Sequence, residues 1–142
     1  MKHSRIMVFT LIALSFLVGT AGTLSAQAQS QKAQAPKAKS TTLLRMPLAG
    51  VDGMDVIIKR FEFPANFVGG KHWHPGPVFV YVLEGELTIE TDKGLQTIKA
   101  GEVYAETPEL AMRAKNLSAK GTLRTVAFLI GKSNKPFKVN VK

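Results

Sequence analysis

Apolar residues along this chain come in short runs or in strict alternation, and no segment carries a helical period. Asp55–Phe63 (DVIIKRFEF) is β-branched and aromatic and stops at Pro64. Val78–Leu83 is a continuous apolar run closed by Glu84-Gly85, and Glu86–Thr91 alternates polar with apolar. Asp92-Lys93-Gly94 makes a hairpin-type loop into Leu95–Lys99, which alternates again up to Ala100-Gly101. Glu102–Glu106, Met112–Asn116 and Thr122–Ile130 complete the series. Strands this short, separated by Gly, Pro and Asp, predict an all-β antiparallel sandwich or small barrel.

The first forty residues follow other rules. Lys2, His3 and Arg5 precede a run of about 13 residues, Ile6–Val18, broken only by Thr10 and Ser15. Small residues then lead to Ala26-Gln27-Ala28. A basic start, a short apolar run and an A-x-A site describe a secretory signal peptide over 1–28, the run being shorter than the roughly 17–25 residues of a membrane span. The expectation is an exported protein, periplasmic or secreted, with no stable membrane anchor after cleavage. Residues 29–40 hold only Gln, Ala, Lys, Pro and two serines, and read as a flexible linker. The folded domain is then expected over 41–142.

Charge and composition remove several function classes. The 142 residues carry a net charge of +9, and cleavage after Ala28 removes two basic residues and no acid, leaving +7. Seven lysines lie in the linker (Lys32, Lys37, Lys39) and in the tail (Lys132, Lys135, Lys138, Lys142), and basic residues are not interleaved with aromatics on one face. No nucleic-acid partner is expected. The absence of cysteine excludes disulfides, thiolate metal sites and a cysteine nucleophile. Gly69-Gly70 has neither the spacing nor the following helix of a phosphate loop.

Candidate chemistry is confined to Gly70-Lys71-His72-Trp73-His74-Pro75-Gly76-Pro77. On an extended strand, residues two apart share a face, about 6.6–6.8 Å apart at Cα, so two imidazoles at this spacing can converge on one ion. By the same parity Val78, Val80 and Val82 form one apolar interior face. Trp73, Phe79 and Tyr81 fall on the opposite face, to pack on a second sheet or a partner subunit.

The stretch from Asp55 to Ile130, with HPG followed by YVLEGEL, resembles the cupin family. His72, His74 and Gly85 match the family's first motif; Asn66 stands at its leading glycine and Val78 at its glutamate. Gly101 and Asn116 match the second motif, where Pro108 is one residue late, Glu109 replaces glycine and Met112 replaces histidine. The resemblance implies a single antiparallel jelly-roll barrel and a homodimer, in a family whose metal sites support oxygenase, isomerase and decarboxylase reactions. Two of the family's four ligands are missing here, which leaves three readings. In one, Glu106 joins His72 and His74 to hold iron, manganese or zinc in an oxygenase- or isomerase-type enzyme. In another, the Met112 thioether makes the ion copper. In the third, no metal binds, and a small organic ligand occupies a pocket of Val78, Val80, Val82 and Tyr104 with the two histidines as its polar groups.

Overall fold

The computed structural model describes residues 35–141. The expected signal peptide and residues 29–34 of the expected linker lie outside them. Every regular element among the described residues is a strand: β1 Lys39–Pro47, β2 Met54–Phe63, β3 Phe67–Val68, β4 His72–Trp73, β5 Val78–Glu84, β6 Glu86–Thr91, β7 Gly94–Lys99, β8 Val103–Glu106, β9 Arg113–Asn116, β10 Leu123–Lys132 and β11 Val139–Asn140. The seven strands expected from the sequence match β2 and β5–β10 within two residues at either end. β1 was not expected; it starts inside the segment read as linker.

The strands form a five-stranded sheet in the order β1-β2-β10-β5-β8, a four-stranded sheet in the order β3-β9-β6-β7, and the pair β11-β4. All pairings are antiparallel. The core lies between the two larger sheets. Val78, Val80, Val82, Leu123, Ala127 and Leu129 come from one, Leu87, Ile89 and Ile98 from the other. In β5 and β10 burial alternates residue by residue, as a sheet with one covered face requires. Val78, Val80 and Val82 point inward, and Phe79 and Tyr81 outward to solvent. Trp73 is half-buried and pairs with Val139.

Three positions show how the chain is bent into place. Asn66 adopts φ +56°, the left-handed conformation expected where the family has glycine. Glu109 does the same at φ +63°, and its amide donates to the His74 carbonyl at 2.8 Å. Gly76 lies against β10 so closely that a Cβ would run into the Ile130 carbonyl oxygen. Asn116, fully buried, ties the second-motif end together: its Nδ2 donates to the carbonyls of Phe63, Pro64 and Gly121, and its Oδ1 accepts from the Ser118 amide. A buried amide satisfied on both sides is a structural fastener.

Candidate functional site

A cavity of about 190 Å³ opens between the sheets beside β4. Its apolar wall includes Phe61, Phe63 and Phe67, together with Val78 and Val80 of β5 and Leu87 and Ile89 of β6. Its ionisable side chains are His72, His74, Glu106 and Lys138. Ala38 also reaches the wall, so the residues just before β1 belong to the domain rather than to a free linker.

The two imidazoles are placed by backbone. His72 sits in β4, held by a reciprocal pair of amide bonds to Met112, 2.9 Å and 2.7 Å. Its Nδ1 donates to the Gly70 carbonyl at 2.9 Å. His74 follows two residues on, and its Nδ1 donates to the Phe137 carbonyl. A carbonyl only accepts, so both neutral rings carry their proton on Nδ1 and leave Nε2 as an acceptor. The rings meet edge to face with centroids 5.0 Å apart. Burial lowers the pKa of both, and the Lys138 charge lowers each further, so the neutral form is favoured.

Glu106 is brought in from the other side. It ends β8, directly opposite Val78 of β5, and places Oε2 3.3 Å from His74 Nε2. That oxygen is buried and, apart from this contact with His74, has no polar partner. Desolvation raises the Glu106 pKa to about 7. Near neutral pH a large share of Glu106 is the neutral acid, which can donate a proton to a bound group or to His74.

The other expected site residues divide. Val78 and Val80 line the cavity; Val82 and Tyr104 do not. Val82 is completely enclosed in the core, and Tyr104 packs against that core from the edge strand β8. Both were expected from strand parity, which assigns a face but not how far along it the interior is already filled. Met112 is also core, buried at 1% exposure and absent from the cavity wall. Its link to His72 runs through the backbone, so it does not present its sulfur to the histidines' cavity. Lys138 and the Phe137 carbonyl were not expected at all, because they come from a tail about 65 residues downstream of the histidines with no motif of its own.

The donor set was tested against a metal ion. Among the described residues no three His, Asp or Glu side chains are gathered closely enough to hold one. His72, His74 and Glu106 share a cavity, with Glu106 Oε2 3.3 Å from His74 Nε2 and the two imidazole centroids 5.0 Å apart, and the thioether is elsewhere. The place of Met112 in the core takes away the ligand on which the copper reading rests, and no cluster of three donors among the described residues supports the iron, manganese or zinc reading.

The antiparallel all-β architecture agrees with the comparisons. Residues 59–128 match the cupin domain family model. The chain belongs to the cupin superfamily. A cupin domain from Bordetella pertussis Tohama I is 22% identical, with a TM-score of 0.53 over 69% of this chain and 97% of that one. A cupin-like protein from Thermotoga maritima is 17% identical with a TM-score of 0.56, covering 73% of this cupin and 75% of its own length. A conserved protein with a double-stranded β-helix domain from Klebsiella pneumoniae gives 16% and 0.56, covering 76% of this chain and 85% of its own. At these identities the likeness establishes fold alone. No curated protein matches the sequence.

Proposed function

We propose that this cupin binds a small, largely apolar organic molecule in the cavity between its sheets, with the polar end of the ligand at His72, His74 and Glu106. The observation that carries this reading is the polar corner of an otherwise apolar cavity, where the buried Glu106 oxygen has the 3.3 Å contact to His74 Nε2 and no other polar partner. A buried polar group short of good hydrogen bonds costs up to roughly 1–3 kcal/mol, part of which a ligand supplying a further hydrogen bond would recover. An engineered apolar cavity of about 150 Å³ holds benzene, so about 190 Å³ suits a monocyclic or short branched ligand.

Two measurements test it together. Mass spectrometry of protein purified from its own compartment is expected to find a co-purifying small molecule that is lost from His72→Ala/His74→Ala, with the circular dichroism of the variant unchanged. Elemental analysis of the same sample is expected to find no stoichiometric metal. A metal at one equivalent would reverse the choice in favour of a metal centre.

The same reading takes the two facing sheets as halves of a jelly-roll barrel and residues 1–28 as an export signal, placing the domain in the periplasm or outside the cell. It also takes the protein as a homodimer. Leu44, Met46, Phe79, Tyr81, Val103 and Phe128 are exposed on the outer face of the five-stranded sheet. Around that face Arg60–Glu62 and Arg124–Glu84 are paired, so its rim offers a second copy no single-sign repulsion.

A further inference from the structure

The segment after β10 does more than end the chain. Ser133 donates its amide to Gly53 and its hydroxyl to Asp55, and Arg45 donates to the Ser133 carbonyl at 2.9 Å. Phe137 packs on Gly131, with the Arg45 guanidinium 5.8 Å from its ring centroid. Beyond it β11 pairs with β4, and the Val141 amide donates to the Lys71 carbonyl. The chain is therefore pinned on both sides of Lys138, which lines the cavity while staying exposed.

Lys138 brings a positive charge close enough to both imidazoles to disfavour their protonation. Among the described residues no carboxylate lies within ion-pair distance of its Nζ; the four ion pairs there involve Arg45, Arg60, Lys115 and Arg124, and Glu106 lies against His74. An ammonium held at the mouth of an apolar cavity with no internal counter-ion is a selectivity device for negative charge. Burial raises the Glu106 pKa to about 7, so its charge opposes a bound anion only in the ionised fraction, which shrinks as pH falls below 7.

We propose that the ligand is a small organic monoanion, its apolar body in the cavity and its carboxylate or equivalent acid group held by Lys138 at the mouth. This rests on the cavity being a ligand site, and the test separates the two ideas. Benzoate and benzyl alcohol, matched in their ring and differing in charge, are titrated into the purified chain and followed by amide and imidazole NMR shifts. Benzoate is expected to bind at least about tenfold more tightly, the scale of one charge-assisted hydrogen bond. In Lys138→Met that preference should collapse to near one, and in Lys138→Arg it should largely return. Equal binding of both probes to the unaltered chain overturns the anion assignment, a preference that survives Lys138→Met overturns the role of Lys138, and either leaves the cavity reading standing. Failure of either probe to shift His72, His74 and the lining residues up to tens of millimolar overturns both.

Discussion

At the scale of single residues, two carboxylates sit in opposite environments. Glu106 has its pKa raised by burial from 4.5 to about 7. The folded state then holds a proton that the unfolded state has released, so stability falls as pH rises from about 4.5 through 7. Above that range the penalty approaches about 3 kcal/mol. Glu106→Gln, free of any charge to desolvate, should be more stable than the parent at pH 8 by up to that amount and equal to it near pH 4. Urea unfolding of chelator-treated protein at the two pH values measures this; equal stability at pH 8 would mean Glu106 is not desolvated. Asp55 runs the other way. The Ser133 hydroxyl and the Arg45 guanidinium hold its pKa below 3.8. Its contribution is complete above the unfolded pKa and is lost as pH falls through the depressed folded value. Asp55→Asn should therefore lower Tm at pH 7, with the gap to the parent closing toward pH 2. A gap independent of pH would assign the loss to packing instead of charge.

At the scale of elements, the turn from β4 into β5 decides where the histidines stand. His74, Pro75 and Gly76 leave the strand pair and cross against β10, where the Ile130 amide donates to the Pro77 carbonyl at 3.0 Å. Only a residue without Cβ fits beside the Ile130 carbonyl. Gly76→Ala should cost about 3 kcal/mol or push the loop off β10, and the His74 Nδ1 bond to Phe137 should be disturbed with it. Thermal unfolding together with the His74 ring shift follows both effects, and a variant with parental values in each would remove this role for the glycine. A milder case faces the same residue. Glu109 occupies a left-handed conformation that costs an L-residue about 1–2 kcal/mol, against the 0.5–1 kcal/mol that glycine's extra freedom costs elsewhere. Glu109→Gly should raise stability by about 0.5 kcal/mol and Glu109→Ala should not, so a rank order with alanine above glycine in a melt would contradict the strain.

At the scale of the whole molecule, the outer face of the five-stranded sheet is the feature without internal cover. Neighbouring strands about 4.8 Å apart make it about 20 Å across, and the cross-strand registers line up Leu44, Ile58, Phe128, Phe79 and Ala105 in a single row. All nine residues of β1 are exposed, at the edge of that sheet. Outward positions of a sandwich are ordinarily polar, and an exposed apolar row of this kind marks an interaction surface. Light scattering should give twice the monomer mass, and the pair Phe79→Glu and Phe128→Glu should give the monomer with its strand content intact. A parental monomer at high micromolar concentration would rule out the dimer.

What the sequence determined by itself was whatever depends on neighbours along the chain. Alternation placed Val78, Val80 and Val82 on one side of β5 and Phe79 and Tyr81 on the other, because side chains in a strand point to opposite faces in turn. The i, i+2 spacing brought His72 and His74 to one cavity, and Asn66 took the positive φ its position asked for. β1 escaped because a bulge between Thr42 and Leu44 breaks its alternation and neither of its faces is buried, so no pattern marks it. Tertiary structure alone decided which inward residues reach the cavity and which are walled into the core. It placed Glu106 next to His74 across 32 positions of sequence, fixed both histidine tautomers through the carbonyls of Gly70 and Phe137, and folded the tail back to set Lys138 at the mouth. Those arrangements depend on distances between strands that are remote in sequence, and no local pattern encodes such a distance.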